Sequence, residues 1–120
     1  MAERYSSFNR GGTRWFLQRV TAVFLVVTLA FHFYLLHFVN HAPEITFAGS
    51  AGRYSVPIYF VTMVLFLAAA TFHGVNGIYN ALVNQGVTGT PKRAAKWVLG
   101  IAGVLLFVQG VRVALVLMGA

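Results

Sequence analysis

The sequence predicts an all-α membrane protein with three transmembrane helices, and three observations carry that reading. Of the 120 residues, 58% are hydrophobic and only 9% are charged, whereas a soluble domain carries about 25% charged residues. Three apolar runs reach the ~20 residues that a helix needs to cross a bilayer core. The basic residues mostly bracket those runs instead of interrupting them. A small soluble globule needs a polar skin that this chain lacks, and so apolar a chain does not stay disordered in water. The length allows one domain, residues 1–120.

Residues 1–19 form a polar and basic N-terminal segment. Its first twelve residues hold no apolar stretch of their own, so no cleavable signal peptide is expected. The first span is 20–39, VTAVFLVVTLAFHFYLLHFV, which is uncharged. The second is 56–83, also uncharged, with Pro57 in its first turn, where a missing N–H is harmless. The third is 97–118, interrupted by Gln109 and Arg112. Small residues scattered along all three permit close helix packing in lipid. Asn40–Ser55 and Asn84–Lys96 read as linkers, each with glycines and a proline.

The distribution of Lys and Arg orients the bundle. Arg4, Arg10, Arg14 and Arg19 precede the first span, and Lys92, Arg93 and Lys96 fall in the second linker. The first linker sets Arg53 against Glu44. The expectation is a cytoplasmic N-terminus and an outside C-terminus, with Trp15 and Trp97 at the inner interface. The net charge of +7 therefore reads as topology and contact with lipid, and no nucleic acid is implied. With no cysteine, thiolate-held iron–sulfur clusters and thiol catalysis are excluded. Two acids, Glu3 and Glu44, both outside the spans, cannot form a paired-carboxylate site. No metalloprotease, phosphate-loop or nucleophile-elbow motif occurs, so this chain performs no bond-making chemistry of its own.

Polar side chains inside a span need a reason. His73 lies in FHGVNGIYN, with Gly77 one turn on along the same face. A glycine there leaves room for a flat macrocycle beside a neutral imidazole, itself a good axial ligand of haem iron. Equally, these glycines can admit a neighbouring helix to which His73 bonds. His32 lies thirteen residues past Arg19, about 20 Å along a helix, and reads either as a second ligand or as an interhelical hydrogen bond. His37 is about 140° around the helix from His32 and suits an interfacial position. Measured from the span ends, His32 and His73 differ in depth by roughly 4–10 Å, which leaves open whether one haem could hold both. Arg19 and Arg112 call for snorkelling, anionic partners or a quinone carbonyl.

At RVTAVFLVVTLAFH and HGVNGIYNALVN the chain resembles the small cytochrome b membrane anchor subunits of succinate dehydrogenase and fumarate reductase, the SdhC/SdhD-type proteins of succinate:quinone oxidoreductase. The resemblance covers roughly residues 14–118 and favours the two-haem kind. It implies packing with a second anchor subunit into a helix bundle around haem b. It also implies an iron–sulfur subunit and a flavoprotein subunit docked on the cytoplasmic side, and quinone as the electron acceptor or donor. Carried over, His73 and His32 become axial ligands of haem iron, Gly77 the clearance residue and Arg19 the arginine near the propionates and quinone. The single-haem branch ends this helix in Asp-Tyr, where Asn84 and Gln85 stand here. That departure shifts the expected quinone contact toward the partner subunit. The location implied is the inner (cytoplasmic) membrane, multi-pass. Two rival readings stand beside it: a haem-free anchor of the same complex, and a small oligomeric transporter or channel.

Overall fold

Three helices long and apolar enough to cross a membrane follow one another in an up–down–up order. The computed structural model describes residues 12–119; Arg4 and Arg10 of the basic N-terminal segment lie outside them. Helix α1 runs Gly12–Tyr34 and continues as a π-helical turn, Leu35–Val39. A 3-10 turn, Ala42–Glu44, and a short helix α2, Phe47–Tyr54, follow. Helix α3 is Pro57–Asn84 and α4 is Gly89–Met118.

The structure adds helix outside the expected spans at three places. Residues 12–19 are already helical, so the N-terminal segment is in part the first turns of α1. Helix α4 begins eight residues before Trp97, taking up most of the expected second linker. Pro91 falls in its first turn, where no intrahelical donor is lost. The remaining turn closes on Gly86, whose φ of +92° is a left-handed conformation open to glycine, and Val87 N–H donates to the Leu82 carbonyl. The expected first linker also contains α2, capped where Thr46 Oγ1 accepts from Gly49 N–H at 3.0 Å.

Helix α3 is the central element. It packs on α1 along one face and on α4 along another, while the backbones of α1 and α4 do not approach each other. Helix α2 lies against α3 and α4 at the end of the bundle opposite Gly12. That end is called the far end below, and the end holding Gly12 and the α3–α4 turn is the basic end.

The two seams are built differently. Between α3 and α4 the contact is steric. A Cβ at Gly103 would stand 2.8 Å from Val75 Cγ2, and one at Gly110 would collide with Leu67. Gly103 is buried on this seam. Between α1 and α3 the contact is polar. Gln18 Nε2 donates to the His73 carbonyl at 3.2 Å, and Gln18 Oε1 accepts from Asn76 Nδ2 at 2.8 Å. Asn76 is only 8% exposed, so this amide has no solvent to fall back on. The buried core is otherwise small: Met63, Ala114 and Thr28.

Two outcomes test these seams. Gly103→Val should destabilise the purified protein by about 1–3 kcal/mol through overpacking, whereas Gly100→Ala, with open space around it, should be neutral or stabilising. Gln18→Leu should cost about 1–2 kcal/mol by leaving the Asn76 amide unpaired. Adding Asn76→Leu should recover part of that loss in a double-mutant cycle. Reversible unfolding in detergent micelles reads both.

Candidate functional site

Helical periodicity gathers the polar residues of α1 on one stripe. Gln18, Thr21, Leu25, Thr28 and His32 recur at alternating spacings of three and four, and all are buried or half-buried. This stripe is the face that α1 turns toward α3. Arg19, one step around the helix, is exposed instead, with its guanidinium 5.1 Å above the Trp15 ring.

His73 is held by this stripe at two points. Its carbonyl receives the Gln18 bond, and its Nδ1 lies 3.1 Å from Thr21 Oγ1. The direction of the second bond depends on the His73 tautomer. The Thr21 hydroxyl has one proton, and its nearest carbonyl acceptors are Leu17 at 2.6 Å and Gln18 at 3.2 Å. With that proton on a carbonyl, the hydroxyl oxygen accepts from His73 in the tautomer that carries its proton on Nδ1. In that tautomer Nε2 is left with its lone pair and no partner among the described residues. An imidazole whose Nδ1–H is fixed in this way is oriented to ligate a metal through Nε2.

His32 is in the opposite condition. Its ring stacks loosely on Phe66 of α3, with centroids 6.3 Å apart. Neither ring nitrogen has a hydrogen-bond partner among the described residues, and Nδ1 is buried. The interhelical hydrogen bond considered for this residue is therefore not made to α3 or α4. His37, in the π turn, is placed to donate from Nδ1–H to the Phe33 carbonyl, 3.1 Å away. It is exposed and stacks on Phe33.

The depths of the two candidate ligands now separate. His73 is level with Thr21, and His32 lies eleven residues further along α1, about 16 Å. Counted on α3, Phe66 and His73 are seven residues apart, about 10 Å. Both values reach or exceed the upper end of the range expected from sequence. Two axial nitrogens on one iron stand only about 4 Å apart, twice a metal–nitrogen bond of ~2 Å. One chain's His32 and His73 thus occupy separate tiers.

Gly77 faces α1. A Cβ there would stand 3.3 Å from Gln18 Nε2, so within this chain the space it leaves is filled by the Gln18 amide. Gly74 has nothing within 4 Å. Sequence reasoning overlooked Gln18 and gave Thr21 no specific role; the signal available was the three–four spacing that joins them to Thr28 and His32. A cavity of about 270 Å³ opens at the basic end between the start of α1, α3 and α4, lined by Arg14, Phe72, Asn76, Tyr79 and Lys96. Among the described residues no three of His, Cys, Asp and Glu cluster, so any metal here would bring most of its own ligands.

Comparison with known proteins identifies the family. The profile of the succinate dehydrogenase/fumarate reductase transmembrane subunit family matches residues 2–117. Over 112 residues the chain is 27% identical to the succinate dehydrogenase hydrophobic membrane anchor subunit of Thermoplasma acidophilum, covering 93% of this chain and 87% of that protein. Over 96 residues it is 26% identical to the subunit of the same description from Archaeoglobus fulgidus, covering 80% and 81%. No solved structure gives a significant match. A multi-pass chain with three long apolar helices, matched along nearly its whole length, belongs to the succinate dehydrogenase/fumarate reductase transmembrane subunit family.

Proposed function

We propose that this membrane anchor subunit holds haem b through His73 and a second haem through His32, in a bundle completed by a second anchor subunit. The observation that carries the reading is the 3.1 Å contact between Thr21 Oγ1 and His73 Nδ1. With the Thr21 proton on the Leu17 carbonyl at 2.6 Å, Thr21 Oγ1 accepts from His73 Nδ1–H, the tautomer that leaves the Nε2 lone pair for a metal. His32 supports it differently. An imidazole in a span with both ring nitrogens unpaired is unfavourable, and a ligand would relieve it. Because the two lie on separate tiers, the opposite axial ligand at each would come from the partner.

Haem b, when bound, supplies one-electron transfer between iron–sulfur clusters and quinone. The chain's own residues orient and surround it. Gln18 fixes the His73 backbone, Thr21 fixes its ring, and Arg19, two residues from Thr21 and exposed, offers a cation to the propionates. The cavity between Arg14, Tyr79 and Lys96 is this chain's share of the quinone site, with a phenol and two cations as donors to the quinone oxygens and Phe72 as an apolar wall. The iron–sulfur and flavoprotein subunits dock on the basic end, which carries Arg14, Lys92, Arg93 and Lys96 and faces the cytoplasm under the positive-inside rule. Catalysis of succinate oxidation or fumarate reduction belongs to the flavoprotein. The membrane is the inner, cytoplasmic one.

The test is a reduced-minus-oxidised spectrum and a pyridine-haem assay on the purified complex. His73→Ala should remove one b-type signal, and His32→Ala a spectrally distinct one. Thr21→Val should keep the His73 signal but raise its midpoint potential, because an imidazole without an acceptor for Nδ1–H is a weaker donor to ferric iron. A complex without b-type bands would leave a haem-free anchor, and a spectrum unchanged in both histidine variants would remove His73 and His32 from the haem.

A further inference from the structure

We propose that the cleft between α2 and the last turns of α4 binds the phosphate of a membrane phospholipid, with Arg112 as its cation. The inference rests on the three helices being membrane spans and is independent of haem. The cleft has a volume of about 610 Å³. Its polar wall is Thr46, Ser50, Gln109 and Arg112, and its apolar wall includes Phe47 and Val116.

The polar wall is a set of donors without protein acceptors. Arg112 makes one side-chain hydrogen bond among the described residues, from Nη1 to Gln109 Oε1 at 3.4 Å. The rest of its guanidinium N–H groups face no acceptor there. Gln109 accepts through its oxygen, so its amide N–H groups are also available. Ser50 Oγ accepts from Arg53 Nη2 at 3.0 Å, and Thr46 Oγ1 accepts from Gly49 N–H at 3.0 Å. Neither hydroxyl donates to another described residue, so each has a proton to offer. A cation, an amide and two hydroxyls, all donating, match a group that only accepts: an oxyanion.

Charge and depth identify its source. The chain has two acids, Glu3 and Glu44, and Arg112 bonds to neither among the described residues. Arg112 lies six residues before Met118, about 9 Å short of the helix end, within snorkelling reach of the headgroups. Next to it the cleft is apolar, and Phe47 is 71% exposed. A free phosphate would have no use for that wall, whereas the acyl chains of a phospholipid would cover it. Helix α2, capped at Thr46, supplies one wall of the cleft.

Phospholipid bound to the purified complex, counted by native mass spectrometry after detergent exchange, tests this. Wild type should retain one phospholipid per anchor chain that Arg112→Gln loses, while Arg93→Gln, an exposed cation at the other end, should retain it. Ser50→Ala should weaken retention several-fold without removing the charge, which keeps the test decisive if Arg112→Gln folds poorly. After exhaustive delipidation, mixed micelles containing phosphatidylglycerol should refill the site in wild type and not in Arg112→Gln. Equal retention in all variants would overturn the proposal. So would displacement of the lipid by millimolar inorganic phosphate, which would indicate a free-anion site. A photo-crosslinker at Val116 that captures polypeptide in place of lipid would also overturn it, assigning the cleft to a partner chain.

Discussion

In a bilayer a polar side chain has no water to return to, and the packing of α1 on α3 depends on one residue that meets this constraint twice. The Gln18 amide donates to a backbone carbonyl and accepts from a buried Asn76, joining the helices at their basic ends. Lipid tails are as apolar as the side chains they touch, so apolar burial gives little drive for helix association. The few buried apolar residues are consistent with that. What holds α1 in register is hydrogen bonding, and what holds α4 is the close approach that Gly103 and Gly110 allow. The register set by Gln18 in turn places Thr21 Oγ1 opposite His73 Nδ1.

Much of this was legible in the sequence, and the failures have physical causes. The three spans follow from hydropathy and length alone. The start of α4 did not, because charged Lys92, Arg93 and Lys96 mark the membrane boundary and not the helix boundary, and a helix continues freely into water. Helix α2 was hidden among Gly49, Gly52 and Ser50, whose low helix propensity is offset by the Thr46 cap and by packing on α3 and α4. The depth of His32 relative to His73 was underestimated because it was measured from the ends of the spans. Those ends are not fixed points, since helices overhang the membrane by different amounts. The contact between Thr21 and His73 supplies the missing common origin.

Arg19 shows a different limit. Its position near the head of the first span suits either snorkelling or a partner such as the propionates, and a step of about 100° per residue separates it from Gln18 and the face turned to α3. Its guanidinium rests on Trp15, an arrangement that suits an interfacial residue. A role toward the propionates would therefore draw on the outer surface of α1, where a partner subunit would have to bring the haem. Gly77 makes the same point from the inside. The space it opens is real, but Gln18 occupies it in this chain, so the groove beside His73 must be completed by another helix.

The hydrogen bonds divide the polar groups of the spans into two sets. Thr28, Thr62 and Thr71 return their protons to the carbonyl four residues back, and Gln18, Thr21 and Asn76 satisfy one another or the backbone. These residues are complete within the chain and need no ligand to explain them. His32, the Nε2 of His73 and most of the Arg112 guanidinium are not complete. In water such a remainder would mean little, because solvent would close it. In hydrocarbon an unpaired polar group is costly by kilocalories, so what the chain leaves open marks where other molecules belong. The open groups also differ in kind: an imidazole lone pair takes a metal or a hydrogen-bond donor, and a guanidinium backed by hydroxyl donors takes an oxyanion. That difference in chemistry, more than their separation along the bundle, is why they are read as distinct sites.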